Sequence, residues 1–220
     1  MALSKLNFNS LNLTPVAGKG IGFDSGADDL EASFSGGAMT FIKKLTASSD
    51  GTLSFVNGAS DVVLDSTYKE YIFIFKDIHA SSNEAEFTVN FRDGSTAYDA
   101  TKTSTAFRSF HFENDSNAAL GYQASHDLAQ ATGVQKIGQL QGNSGDHSGA
   151  GMLTLFNPSS TTFVKHFIAR YGHHYTNAAP GNLDNFTAGY CNVTAAIDAV
   201  QFAFTAGNID AGTITLYGIN

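Results

Sequence analysis

The sequence predicts an all-β protein, an antiparallel β-sandwich, and three observations support this prediction. Short apolar runs of strand length recur along the chain, and several of them alternate apolar with polar residues. Turn-forming residues separate the runs. Glycine occurs 22 times and proline only 3 times, which indicates many tight turns rather than a proline-rich linker. No segment repeats apolar residues at the spacing of three and four that a helix needs. Such strands without crossover helices favour a sandwich or barrel, and we expect a jelly-roll-like topology.

Residues 1–37 differ in composition from the rest of the chain. We therefore divide the chain into an N-terminal arm at 1–37 and a β-sandwich domain at 38–220. The arm is rich in glycine, which disfavours a helix. Its sparse apolar residues predict an extended segment that anchors the domain on a partner surface; a partly disordered terminus is the alternative. The candidate anchoring residues are Leu6, Phe8, Leu11 and Leu13.

About ten strands are predicted in the sandwich domain. The Asp50-Gly51 pair predicts a hairpin between the first two strands. Residues 70–78 are apolar on both faces, which indicates a central strand covered on two sides. Residues 124–131 predict a short helix or a turn. The predicted strands are 38–47, 53–56, 70–78, 86–91, 106–113, 134–140, 152–156, 163–171, 200–204 and 213–217.

Charged residues are scarce, at 15% of the chain against roughly 25% in an average soluble domain. A surface made mainly of uncharged polar residues packs against neighbours without burying charge, which suits a chain inside an assembly. The net charge is −8, and the 12 basic residues are scattered, with Lys43-Lys44 as the only adjacent pair. Nucleic-acid binding needs clustered positive charge, so we expect none.

The single cysteine, Cys191, rules out an intrachain disulfide. The first residues have no apolar run of signal-peptide length, and no stretch approaches the ~20 apolar residues of a membrane helix. We therefore expect no membrane insertion, and we expect the chain to fold in a reducing cytoplasm. In an apolar stretch, Cys191 itself is expected to be buried and inert.

Motifs for catalysis or metal binding are weak. The adjacent His173 and His174 could share a metal only in a loop, because neighbouring residues of a strand point to opposite faces. The His-x-His pattern of metal-binding cupin barrels and the G-x-S-x-G nucleophile elbow do not occur. We expect no enzyme activity, no catalytic or metal residues and no cofactor.

A cluster of aromatic residues gives one candidate site for a glycan or another partner. Exposed tyrosines offer flat contact area at a small cost in conformational entropy, although tryptophan, the usual sugar-stacking residue, is absent. The candidate contact residues are Tyr171, His173, His174, Tyr175 and Tyr190.

Two segments carry a resemblance to known proteins. The block at 66–79, STYKEYIFIFKDIH, and the ending at 204–219, FTAGNIDAGTITLYGI, resemble jelly-roll-like virion structural proteins of marine tailed bacteriophages, of the cyanophage type. The resemblance spans about 38–220 and leaves the arm uncovered. It implies a particle protein on the outside of the head or tail, in a virion assembled in the bacterial host cytoplasm.

Three functions stay open at this point. The first is a virion structural protein that self-associates, with a homotrimer favoured, and that contacts other virion proteins as a capsid decoration or a tail-fibre module. The second is a receptor-binding module of the tail for a host surface glycan. The third is a cupin-like or lyase-like β-fold enzyme.

Overall fold

The structure, a computed structural model, describes residues 20–23, 30–34, 38–176 and 179–219. This part of the chain is all-β and contains no helix. Its strands are β1 (Gly20–Phe23), β2 (Leu30–Phe34), β3 (Met39–Thr46), β4 (Leu53–Val56), β5 (Glu70–Ala80), β6 (Phe87–Arg92), β7 (Lys102–Phe112), β8 (Ala118–Tyr122), β9 (Gln135–Lys136), β10 (Gly149–Phe156), β11 (Lys165–Tyr175), β12 (Gly181–Cys191), β13 (Ala199–Phe204) and β14 (Ile209–Ile219).

Two antiparallel sheets pack as a sandwich, as the sequence predicts. The large sheet has eight strands in the order β3-β14-β5-β10-β11-β12-β7-β8. The small sheet has four strands in the order β4-β13-β6-β9. The described residues from Phe41 to Ile219 form one compact unit, and β1 and β2, which lie outside it, pair with each other as antiparallel strands.

The core between the sheets is dominated by phenylalanine. Phe73 and Phe75 of β5 meet Phe202 of β13 at ring-centroid distances of 5.4 and 5.1 Å, with edge-to-face geometry. Phe55 of β4 contacts Phe73 at 5.2 Å, and Phe87 of β6 contacts Phe75 at 5.3 Å. All five rings are almost fully buried. Such aromatic pairs add about 0.5–1.5 kcal/mol each to the stability that comes from burial.

The large sheet is twice as wide as the small one, because two hairpins extend it on one side. The chain leaves β6 of the small sheet, forms β7 and β8 in the large sheet, and returns at β9. It then forms β10 and continues into β11 and β12 before it returns to the small sheet at β13. The four strands of these hairpins therefore lie together beyond β10.

A polar segment covers part of the inner side of these added strands. Tyr171 donates a hydrogen bond from its hydroxyl group to Gln141 Oε1 (2.7 Å), and Gln141 Nε2 donates to the Ile78 carbonyl (2.7 Å). The Gln139 N–H donates to His173 Nε2 over 3.1 Å, and Arg108 donates to the Gln139 side chain. The residues after β9 thus occupy the place that further strands of the small sheet would take.

A double irregularity bends the pairing of β5 with β14. The register shifts twice between Ile209 and Thr213. Asp77 on β5 has a φ of 53°, and Gly212 on β14 has a φ of 112°. Glycine suits this position because a Cβ on Gly212 would lie 2.5 Å from the Asp77 carbonyl oxygen.

Several details differ from the predictions. Asp50-Gly51 does not form a hairpin: β3 lies in the large sheet and β4 in the small one, so this turn crosses between sheets. The predicted strand at 134–140 shrinks to the two residues of β9. Strands β8 and β12 were not predicted, and 124–131 contains turns and bends but no helix. The anchoring residues Leu6, Phe8, Leu11 and Leu13 lie outside the described residues.

Candidate functional site

The side of the large sheet that faces away from the small sheet is the most unusual surface of the molecule. We call the outward side chains of β10, β11, β12, β7 and β8 the outer face. In an antiparallel sheet with one open side, the residues of each strand normally alternate, so that apolar side chains face the core and polar side chains face the open side. Here about half of the outward positions are themselves apolar or aromatic. They include Met152, Phe156, Ile168, Phe186, Ala188, Tyr190, Phe107, Leu120 and Tyr122.

Strand register places the largest of these side chains in one row. Met152 of β10 lies opposite Arg170 of β11, which lies opposite Phe186 of β12. Phe186 lies opposite Phe107 of β7, and Phe107 opposite Tyr122 of β8. The row therefore crosses five strands, and cross-strand neighbours on one face contact each other directly.

Aromatic contacts hold the middle of this row in place. The rings of Phe107 and Phe186 stack with centroids 4.8 Å apart and an interplanar angle of 6°. The Arg170 guanidinium group lies 4.8 Å from the centre of the Phe186 ring, which is a cation–π contact. We call Met152, Ile168, Arg170, Phe186 and Phe107 the ridge, because these side chains are larger than the outward residues on either side, such as Ala150, Gly172 and Ala188.

A groove lies on each side of the ridge. The first has a volume of about 480 Å³, and its floor includes Ala150, Gly151 and Gly172. The second has a volume of about 490 Å³ and runs past Ala188 and Gly189 to Tyr190. Small residues at outward positions lower the surface on both sides, so the outer face has pronounced relief.

Formal charge on this face is confined to one ion pair. Among the outward residues of β10, β11, β12 and β7, all within the described chain, Arg170 is the only lysine or arginine and Asp184 the only acidic residue. Arg170 Nη2 donates to Asp184 Oδ2 over 2.7 Å, and Arg170 Nε donates to the same oxygen over 3.0 Å. The Asp184 contact raises the pKa of Arg170 above its ordinary value. The two charges thus satisfy each other in the middle of an apolar surface.

The aromatic cluster predicted as a glycan contact is only partly on the surface. Tyr171 and Tyr175 were expected to be exposed, and this expectation was wrong, because both rings point into the sandwich and are at least 96% buried. His173 is also buried, since odd-numbered residues of β11 point inward. His174 and Tyr190 lie on the outer side and are half-exposed.

Buried His173 serves the structure of the sheet. Its Nε2 accepts hydrogen bonds from the Gln139 N–H (3.1 Å) and from Asn185 Nδ2 (3.3 Å). Burial lowers the pKa of His173 to about 4, so the ring is neutral at neutral pH and can accept these bonds. His174 lies on the opposite side, stacked on His147 with centroids 3.5 Å apart. A shared metal site for His173 and His174 is therefore excluded by the strand geometry.

The most reactive side chains of the sandwich are enclosed. Lys102 and Lys165 lie opposite Cys191 on the two neighbouring strands, and all three are fully buried. Burial raises the pKa of Cys191 to about 12, although both lysines oppose this shift. Burial also lowers the pKa of Lys102 to about 8. The prediction that Cys191 is buried is confirmed.

Two further features are absent from the described part of the chain. No group of three or more histidine, cysteine or acidic side chains is arranged to hold a metal ion. The described residues also include no helix long and apolar enough to cross a membrane.

Sequence reasoning missed the outer face, although it left one signal. Apolar residues on both sides of 70–78 predicted a strand covered twice. In the structure β5 is central. Among the described residues, its inner side packs against the small sheet, whereas Ile72 and Ile74 on the outer side are half-buried. The apolar residues on both sides of β5 are thus typical of a strand in a sheet that is covered on both sides. No protein-family model, curated protein or solved structure matches the chain.

Proposed function

We propose that this chain is a non-enzymatic structural protein of a bacteriophage particle that acts by self-association on the outside of the virion. The observation that carries the proposal is the outer face, an apolar sheet surface with one internally paired ion pair. Monomeric soluble proteins rarely expose a contiguous apolar patch larger than a few hundred Å². A chain that covers such a surface in an assembly avoids that cost.

The strand order supports a jelly-roll topology, which fits such a particle protein. When the two inserted hairpins (β7–β8 and β11–β12) are set aside, eight strands remain in the sandwich. Numbered along the chain, they form one sheet in the order first, eighth, third, sixth and another in the order second, seventh, fourth, fifth. A jelly roll has these two orders, and capsid proteins are among its users.

Two reactive groups, Cys191 and Lys102, lie where they cannot take part in catalysis. A nucleophile must be reachable and activated. Cys191 is buried with a pKa of about 12, and Lys102 Nζ is held by the Asn90 side chain (2.6 Å) and the Ala100 carbonyl (2.7 Å). These groups stabilise the sandwich interior and face no groove.

Particle composition tests the proposal directly. Phage particles from the source of this sequence are purified by density gradient, and peptides of the chain are sought by mass spectrometry across the gradient. We expect peptides from 41–219 to follow the major head and tail proteins at constant ratio. A chain that stays with soluble host proteins, while known particle proteins band normally, overturns the proposal.

The second groove favours one further candidate function, the binding of a host glycan. Tyr190 and His166 lie opposite each other on β12 and β11, with ring centroids 5.7 Å apart, and border the groove. A sugar ring can lie on such an aromatic pair. Tyr190→Ala should abolish any signal on a glycan array, whereas Phe163→Ala, which removes an exposed ring outside the sheets, should leave it unchanged. An array without signal for the unchanged protein removes this candidate.

A further inference from the structure

The nature of the self-association can be specified further, and this step rests on the proposed function. We propose that a second copy of this chain packs against the outer face, sheet on sheet, around a two-fold axis. The partner is thus the same surface of an identical molecule. Three properties of the outer face carry the proposal: its area, its relief and the position of its charges.

The exposed apolar area is that of a stable interface. Met152, Ile168, Phe107, Leu120 and Tyr122 are between 42% and 73% exposed. At roughly 100 Å² for each half-exposed large side chain, these five offer roughly 500 Å². Half-buried neighbours on the same face, such as Phe156, Phe186 and Tyr190, bring the total to roughly 800 Å², which is the area each partner contributes to a standard specific interface.

The relief of the outer face is self-complementary. The ridge stands between two grooves of nearly equal volume, about 480 and 490 Å³. In a two-fold pair whose axis lies in the interface plane, parallel to the ridge and between the ridge and the first groove, the ridge of each copy lies in the first groove of the other. Ile168 borders the second groove and Met152 the first, so both grooves have apolar rims. Interdigitation of this kind is how two sheets pack face to face at about 10 Å.

The charges favour an identical partner over an unrelated one. A face with a single positive and a single negative group has no net charge, so it attracts neither a basic nor an acidic partner strongly. Arg170 and Asp184 lie on adjacent strands at the ridge. In a two-fold arrangement Arg170 of one copy approaches Asp184 of the other, and all four charges can pair. Isologous contact of one surface with itself is the commonest form of protein oligomer.

The first experiment measures solution mass by light scattering after size exclusion, with three forms of the full chain. We expect the unchanged protein to have twice the mass of one 23.2 kDa chain. Ile168→Glu places a charge in the apolar ridge and should weaken dimerisation roughly thirtyfold or more, as loss of a central contact does. The matched control is Phe163→Glu, which changes a side chain of similar exposure (69%) outside the sheets and should leave the dimer intact.

A second experiment tests the face-to-face arrangement itself. Arg170→Asp makes the centre of the outer face acidic, and Asp184→Arg makes it basic. We expect each variant alone to be monomeric, because like charges then meet across the two-fold axis. Mixed in equal amounts, the two variants should form a one-to-one dimer. Both substituted residues lie outside the core, and the burial of Cys191, read as slow reaction with a thiol reagent, reports that each variant is folded.

The outcomes separate this inference from the proposed function. A stable trimer, a dimer that Ile168→Glu leaves unchanged, or folded charge variants that stay monomeric when mixed would each overturn the face-to-face dimer. A monomer over a hundredfold range of concentration would overturn it as well. Each of these results is independent of whether the chain is found in purified particles, which decides the proposed function.

Discussion

The Lys102 side chain joins the two sheets through a hydrogen bond from its Nζ to Asn90 Oδ1, 2.6 Å long. Lys102 belongs to β7 of the large sheet and Asn90 to β6 of the small one. A buried lysine without a carboxylate partner is costly, because its charge has been removed from water and is met only by carbonyl dipoles. Burial of Lys102 therefore makes the stability of the sandwich depend on pH.

We expect the stabilising effect of Lys102 to increase with pH. Burial lowers the pKa of Lys102 to about 8 from a usual 10.5, so between these values the unfolded chain binds more protons than the folded one. The free energy of unfolding then rises with pH in this window, by at most roughly 3 kcal/mol. In urea unfolding at pH 7.5 to 10, the difference between the unchanged protein and Lys102→Met should grow in favour of the unchanged protein. The control is Lys69→Met on the surface, whose free energy of unfolding should differ from that of the unchanged protein by a constant amount over this pH range. A constant difference for Lys102→Met would contradict the prediction.

His173 should weaken the fold in mild acid. Burial lowers the pKa of His173 to about 4 from 6.5, so below pH 6.5 the unfolded chain takes up a proton that the folded chain does not. Stability is then lost progressively as the pH falls from 6.5 towards 4, by roughly 3 kcal/mol in total. His173→Gln keeps an acceptor for the Gln139 N–H and does not titrate, so it should lose less stability over this range. Equal losses in both proteins, measured by urea unfolding, would show that other groups cause the acid sensitivity.

Gly212 should not tolerate a side chain, because it combines a positive φ with a close approach of backbone. Its φ of 112° and the approach of the Asp77 carbonyl leave no room for a Cβ. Gly212→Ala is expected to reduce the free energy of unfolding by roughly 2 kcal/mol or more. The control is Gly121→Ala on β8, where an added Cβ meets no atom within 4 Å. That variant should change stability by less than about 1 kcal/mol, and comparable losses in the two variants would refute the explanation.

Cys191 should report unfolding rather than chemistry. The thiol is fully buried, and burial raises its pKa to about 12, so little thiolate forms in the folded protein. A thiol reagent at pH 8 should modify it only after unfolding, and the labelling rate should rise with urea in parallel with the loss of structure. Rapid stoichiometric labelling in native buffer would mean that the sheets open there.

The core strands were predictable because their residues follow a local rule. Phe87, Val89 and Phe91 are separated by Thr88 and Asn90, and this alternation alone identifies β6. Strand β12 was missed because its residues combine glycine, asparagine and threonine, which are typical of loops; its pairing with β7 and β11 stabilises it. Pairing across many residues is a tertiary effect that local composition does not encode.

The candidate site was harder to predict, and the reason is again pairing. Tyr171 and Tyr190 look equivalent in the sequence, yet Tyr171 points inward and Tyr190 outward. A shift of one residue in the frame of alternation exchanges the two sides of a strand. The row from Met152 to Tyr122 draws on five strands, and its members are neighbours only through the register.

The two inserted hairpins separate the strands that form most of the core from the strands that form most of the outer face. The strands of the small sheet and the strands of the large sheet that face them supply most of the phenylalanine core. The hairpin strands β11, β12, β7 and β8 supply most of the outer face. Substitutions at outward positions of the hairpins leave the packing between the sheets untouched. Outward residues of these hairpins can therefore change over evolution while the core between the sheets stays constant, and the same property makes the hairpins suitable places to engineer a new binding surface.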